Sequence, residues 1–190
     1  VCVTTTSPAQ NRIVTNSGNI NLVVSAAGSG AFSASLPSPI APSGGTQNLT
    51  VSFAPTVTGF QSANIAITHN DPDGSPLSPV NVPVDGTGIS STLSMVDQNL
   101  GSIGVGGSIT LVGVPISNTG TVPINVTDIQ SSDSTFVVSP TAFSIAAGGS
   151  APINITFTPT SATTFNSTLT ITHDGCSGPT TPPQLTGTGT

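Results

Sequence analysis

"VSFAPTVTGFQSANIAITHNDPDG", residues 51–74, is nearly repeated as "ITFTPTSATTFNSTLTITHDG", residues 155–175. Both stretches alternate apolar or β-branched residues with polar ones, which is the pattern of half-buried strands. Both also contain Phe-x-Pro-Thr and reach a histidine near their end. The pair therefore predicts an all-β module that occurs twice in the chain.

Further matches extend this repeat over the whole sequence. Most equivalent residues are 104 positions apart, and loops of different length explain the separations of 102 and 101. The matching sets are Phe32 and Phe136, His69 and His173, Asn16 and Asn118, and the Gly-Thr-Gly sequences 86–88 and 187–189. We therefore predict two tandem domains, residues 1–88 and 89–190. The first domain has no equivalent of Leu93 to Leu100, so its first strand is expected to be short or missing.

Composition narrows the fold class. The 190-residue chain is rich in Val, Ile and Thr, contains 21 Gly and 17 Pro, and shows no helical periodicity. Short strands between turn signals predict two immunoglobulin-like antiparallel β-sandwich domains. The Cys…Trp…Cys pattern of antibody domains is absent.

The charge content excludes several partners. Charged residues make up 4% of the chain, and Arg12 is its one Lys or Arg. Binding to nucleic acids and to anionic membranes requires clustered Lys and Arg, so neither is expected. The sequence has no apolar run of about 18 residues, so no membrane insertion is expected. The chain starts at Val1 without a signal-peptide pattern, so we expect a removed leader or a segment of something longer.

The order of several short motifs carries a family resemblance. The second domain contains SNTG (117–120), FTPT (157–160) and LTGTG (185–189), and the first contains TNSG (15–18), FAPT (53–56) and DGTG (85–88). This order resembles the ASH/HYDIN-like (choice-of-anchor D) group of Ig-like modules. The resemblance implies an all-β adhesion or scaffold module, often in tandem, with no catalytic residues to transfer.

Candidate catalytic and metal-binding residues are few. His69 and His173 occupy equivalent strand ends, which indicates a packing role. Asp71 and Asp73 have the alternating oxygen spacing that begins a calcium loop, but the remaining ligands are missing, and a turn explains the same residues. We therefore expect no enzymatic activity, no catalytic residue and no cofactor, with Asp71 and Asp73 as a weak metal candidate.

Four N-x-S/T sequons indicate an extracellular or cell-surface location and glycans as partners. Their asparagines are Asn48, Asn125, Asn154 and Asn166.

The two cysteines, Cys2 and Cys176, form no zinc or redox motif. In an extended rod they would lie too far apart to bond. Three arrangements stay open: free thiols, an internal bond in a folded-back molecule, or a bond between molecules. We favour the third as a hypothesis. The donor strand would be Val1, Cys2, Val3, Thr4, Thr5 and Thr6, lying along the last strand of the second domain of a preceding molecule.

Together these features predict a non-enzymatic extracellular protein, structural or adhesive, that assembles with itself head to tail into a fibre or surface appendage. The alternative is a ligand- or partner-binding tandem module of a larger secreted adhesin or cell-wall protein. A third and weaker class is a hydrolase or a calcium-dependent accessory domain of an enzyme.

Overall fold

A computed structural model describes residues 1–72, 78–179 and 181–190. The chain forms two compact units, unit 1 (Val1–Ile89) and unit 2 (Ser90–Thr190). The boundary predicted from the sequence lies one residue earlier. All regular elements in these described residues are strands, which confirms the predicted fold class. They contain no helix of the length and apolarity needed to cross a membrane.

Unit 1 consists of two three-stranded sheets. One has the order β1-β4-β3 and the other the order β2-β5-β6, with every pairing antiparallel. The strands are β1 (Gln10–Asn16), β2 (Val24–Ala27), β3 (Phe32–Ser35), β4 (Gly45–Phe53), β5 (Gly59–His69) and β6 (Val80–Gly88).

Unit 2 has larger sheets, with the orders β12-β10-β14-β15-β8 and β11-β13-β9-β7. The strands are β7 (Leu93–Ser94), β8 (Gln98–Ile103), β9 (Ile109–Asn118), β10 (Ile124–Ser131), β11 (Phe136–Ser139), β12 (Phe143–Ile145), β13 (Ser150–Phe157), β14 (Thr164–His173) and β15 (Gln184–Gly189). One pairing departs from the predicted antiparallel pattern, because β8 runs parallel to β15.

The repeated phenylalanines form the centre of each core. Phe32 lies opposite Phe53 on neighbouring strands, and Phe136 lies opposite Phe157 in the same way. In both pairs the ring centroids are 4.7 Å apart and the rings are stacked. Cross-strand aromatic pairs of this kind stabilise a sheet beyond the area that they bury.

A repeated asparagine fixes the turn after the first long strand of each unit. The Asn118 side chain is 1% exposed, and its amide nitrogen donates to the carbonyls of Val122 (2.8 Å), Ala146 (3.2 Å) and Ile145 (3.4 Å). Its oxygen accepts the amide of Gly120 at 3.0 Å.

Asn16 has the same role in unit 1. It donates to the carbonyls of Ile20 (2.8 Å) and Ile40 (3.0 Å) and accepts from the amide of Gly18 (3.0 Å). The repeated Asn-x-Gly sequence therefore stabilises the turn through side-chain to backbone hydrogen bonds, since buried polar groups must find hydrogen-bond partners.

Candidate functional site: the open sheet edge of unit 1

In unit 2 the last strand is paired on both sides. Strand β15 is antiparallel to β14 and parallel to β8. Leu185 of β15 is fully buried and Leu100 of β8 is 2% exposed, so both side chains belong to the core. Strand β8 therefore closes this edge of the sandwich.

Unit 1 repeats only the end of this arrangement. In unit 1, the Val3 amide donates to the Ile89 carbonyl (2.8 Å) and the Ile89 amide donates to the Val1 carbonyl (2.9 Å). The equivalent bonds in unit 2 run from Val105 to Thr190 and from Thr190 to Ile103, both 2.9 Å. Val1 is thus the counterpart of Ile103, the last residue of β8. No described residue of unit 1 takes the place of the rest of that strand.

As a result, β6 is an edge strand of unit 1, paired only with β5 among the described strands. Its inward-facing residues Val80, Val82 and Val84 are half-buried, whereas Leu185, the counterpart of Val84, is fully buried. We call β6 residues 82–87 and the cleft beside them the open edge.

The cleft of the open edge has a volume of about 570 Å³ and reaches both sheets of unit 1. From β4 it is lined by Leu49, Val51 and Phe53, which belong to the core of the unit or pack against it. Arg12 and Asp85 are the charged side chains in its lining. The edge of β6 thus presents main-chain groups, and the cleft beside it presents apolar surface.

The predicted donor segment, Val1 to Thr6, pairs with its own unit. Cys2 forms a parallel bridge with Ile89, and the Thr4 amide donates to the Pro55 carbonyl at 2.9 Å. Donation of this segment to another molecule would first have to break these bonds. The proposed receiving strand, β15 of unit 2, also has no free edge, since β14 and β8 occupy both sides.

Both cysteines are disulfide-bonded, so the free-thiol arrangement is excluded. The hypothesis placed Cys2 at the far end of the first domain. The structure instead places Cys2 beside Ile89, the last residue of unit 1, with which it forms a parallel bridge.

The histidines have matching structural surroundings. Nδ1 of His173 accepts the amide of Gly175 at 3.0 Å, and Nδ1 of His69 accepts the amide of Asp71 at 3.3 Å. Asp73 lies outside the described residues. Within the part of the chain that the structure describes, no three His, Cys, Asp or Glu side chains are grouped so as to hold a metal ion.

The four sequon asparagines all lie exposed on strands. Asn48 and Asn166 face solvent, whereas Asn154 accepts the amide of Gly113 at 3.0 Å. The side-chain nitrogen of Asn125, the atom that would carry a glycan, donates to Asp174 at 2.8 Å.

This contact also affects the acidity of Asp174. The backbone amide of Asn125 donates to its carboxylate at 2.7 Å, and this bond, followed by the side-chain bond, lowers the pKa of Asp174 below its usual value.

The sequence of the first domain has no equivalent of Leu93 to Leu100, but it did not show which sheet edge such a segment occupies. In unit 2 that segment includes the start of β8, which runs parallel to the last strand of its unit. A parallel pairing between residues so far apart leaves no local signal in the sequence. The donor role of Val1 to Thr6 stays a hypothesis.

A family model matches residues 83–180, described as ASH, "Abnormal spindle-like microcephaly-assoc'd, ASPM-SPD-2-Hydin". The chain belongs to this family. The resemblance drawn from the motifs is thereby confirmed, and the matched residues cover the larger part of unit 2 and the end of β6 in unit 1. No curated protein matches the chain.

Several solved structures are similar to this ASH-family chain in fold. A protein of unknown function from Porphyromonas gingivalis W83 has 13% identity and a TM-score of 0.44, covering 99% of this chain and 93% of its own. The ASH/PapD-like domain 7 of human CEP192 has 14% identity and a TM-score of 0.44, and the match covers 53% of this chain and 87% of that domain. The D00-D0 domain of intimin has 12% identity and a TM-score of 0.38, and the match covers 94% of this chain and 89% of the intimin chain.

Proposed function

We propose that this ASH-family protein is a non-enzymatic structural or adhesive module of the cell surface, whose copies join head to tail by β-strand addition. The observation that carries the proposal is the duplication of an all-strand unit in a chain of which only 4% is charged. Tandem sandwiches of this kind offer sheet edges to neighbouring chains, and strand addition at such an edge is a general mode of association.

Composition supports association rather than catalysis. With charged residues at 4% of the chain, neighbouring copies repel each other weakly. A head-to-tail contact is heterologous, and such contacts extend into open filaments unless the rotation closes a ring.

The extracellular part of the proposal is supported by the exposed sequons and the disulfide. Four sequon asparagines at the surface and disulfide-bonded cysteines are typical of secreted proteins. Expression in a secreting eukaryotic host tests this part. We expect a mass above that of the bare chain which returns to the bare value on enzymatic deglycosylation; secretion without added mass would contradict the glycan assignment.

The test of self-assembly is direct. The purified chain is examined by sedimentation velocity over a hundredfold range of concentration and by negative-stain electron microscopy. We expect linear polymers that lengthen as the concentration rises. A single monomeric species throughout would overturn the proposal and favour the alternative, a partner-binding module of a larger adhesin.

A further inference from the structure

We infer that unit 2 bears mechanical load, because β8 and β15 form a clamp that resists tension applied along the chain. This inference goes beyond the proposed function, since it concerns how a single unit carries a pulling force and needs no second copy. The observation that carries it is the parallel pairing of β8, close to the start of the unit, with β15 at its end. We call this pair of strands the clamp.

The order of the strands decides how tension reaches the clamp. Unit 2 begins at Ser90 and ends at Thr190. Tension between these two ends pulls β8 toward its N-terminal end and β15 toward its C-terminal end. Because the strands are parallel, the two pulled ends lie at opposite ends of the ladder. The strands must therefore slide past each other, and all bonds of the ladder carry the load at the same time.

An antiparallel pair in the same place would respond differently. Its two pulled ends would lie at the same end of the ladder, so tension would break the hydrogen bonds one after another. Sliding instead requires several bonds to break in one event. Since the rate of forced unfolding depends on the barrier to unfolding, the parallel arrangement should withstand the higher force.

Backbone bonds hold the clamp along its whole length. At its C-terminal end the Thr190 amide donates to the Ile103 carbonyl, and the Val105 amide donates to the Thr190 carbonyl, both at 2.9 Å. At its N-terminal end the Gln184 amide donates to the Asp97 carboxylate at 2.8 Å. Between these ends the paired positions are Gln98 with Leu185, Asn99 with Thr186, Ser102 with Thr188 and Ile103 with Gly189.

Buried side chains oppose sliding as well. Leu100 of β8 is 2% exposed and Leu185 of β15 is fully buried, and both belong to the core of unit 2. A shift of β8 by one residue would turn Leu100 away from the core, because successive side chains of a strand point to opposite faces. Sliding therefore exposes apolar surface in addition to breaking hydrogen bonds.

The segment before β8 is held by fewer pairings. Strand β7 contains two residues, Leu93 and Ser94, which pair with β9. Strand β15 is fixed on its other side by five antiparallel pairings with β14. Tension that passes β7 therefore meets the ladder of the clamp, with β15 held firmly in the sheet.

The experiment pulls on the full chain with optical tweezers in two directions across the same ladder. One DNA handle is attached at Thr190 in both cases. The other is attached through p-azidophenylalanine, placed either at Val96, just before β8, or at Val105, just after it. These valines are 70% and 49% exposed, so the handles disturb little packing. The first direction makes the strands slide, whereas the second separates two residues that are bonded to each other.

At equal loading rates we expect the first rupture to need roughly twofold or more force in the sliding direction than in the separating direction. Circular dichroism and melting temperature verify that both labelled chains keep the fold. Equal forces in the two directions, or a lower force in the sliding direction, would overturn the inference.

A substitution in β15 tests whether backbone bonds supply the resistance. The amides of this strand alternate between its two neighbours, since that of Gly189 donates to Thr163 and that of Thr190 donates to Ile103. The amide of Thr188 therefore faces β8. Thr188→Pro removes this amide and with it one bond of the clamp.

Ser102 on β8 supplies the matched control. The Ile103 carbonyl and the Val105 amide face β15, so the amide of Ser102, an exposed residue, faces away from it. At constant force in the sliding direction, Thr188→Pro should unfold about fivefold faster or more, and Ser102→Pro at the wild-type rate. Equal rates for both folded variants would contradict the clamp. If Thr188→Pro does not fold, the two pulling directions decide, since neither requires a change within the ladder.

Discussion

The substitution Asn118→Ala tests whether the hydrogen bonds of the repeated asparagine stabilise its unit. The side chain is 1% exposed and makes four hydrogen bonds, three as donor and one as acceptor. Alanine removes all four and leaves the amide of Gly120 and nearby carbonyls without their partner. At about 1 kcal/mol for each net bond, with more for groups left buried and unpaired, the expected loss is about 2–4 kcal/mol.

The assay is equilibrium unfolding in urea, combined with hydrogen exchange to assign each transition to a unit, since the two units need not unfold together. The exposed neighbour Thr119 supplies the control. Thr119→Ala should change the free energy of unfolding of unit 2 by no more than about 0.5 kcal/mol.

A second substitution at the same position separates the hydrogen bonds that Asn118 donates from the one that it accepts. Asn118→Asp keeps an acceptor for the Gly120 amide but cannot donate to the carbonyls of Val122 and Ala146. It also places a charge in a buried site, so it should destabilise unit 2 at pH 7 at least as much as alanine does. If Asn118→Ala costs no more than Thr119→Ala, the structural role assigned to the Asn-x-Gly motif is refuted.

Three further predictions concern unit 2. Gly187→Ala places a methyl group 2.5 Å from the Phe157 ring and should lower the free energy of unfolding by about 1–3 kcal/mol in the same urea assay. The control Gly104→Ala, whose nearest neighbouring atom is 3.8 Å away, should lower it by less than about 1 kcal/mol. Equal losses would contradict the close approach of Gly187 to Phe157. Leu100→Ala should cost about 2–5 kcal/mol, because Leu100 is 2% exposed in the core, and a cost typical of a surface residue would show that β8 does not close the sandwich. The pKa of Asp174 is lowered in the folded state, so the stabilisation by its carboxylate is present above the unfolded pKa and is lost as the pH falls through the folded pKa. Asp174→Asn should therefore make the melting temperature less dependent on pH below about pH 4. An unchanged acid dependence would show that the Asp174 carboxylate does not stabilise the fold.

Most of the fold could be predicted from the sequence because its signals are local or repeated. Alternation of apolar and polar residues indicated the strands, and the repeated Phe and Asn residues marked positions that both cores use in the same way. Two copies of one pattern provide an internal check, since a residue needed for packing must recur at the equivalent site. The family resemblance followed from the same motifs.

The candidate site was only half visible in the sequence. The missing equivalent of Leu93 to Leu100 was apparent, but the sequence did not show which edge of the sheet that segment occupies. The physical reason is the parallel pairing of β8 with β15, which joins residues more than 80 positions apart. No turn or spacing in the sequence specifies such a contact.

The sequence alone thus determined a duplicated all-strand module with almost no ionic groups, because strand alternation and composition are properties of neighbouring residues. The tertiary structure alone decided that β8 runs parallel to β15, that Val1 to Thr4 pair with their own unit, and that both cysteines are disulfide-bonded. The strand pairings depend on backbone groups that meet only when segments distant in the sequence pack together.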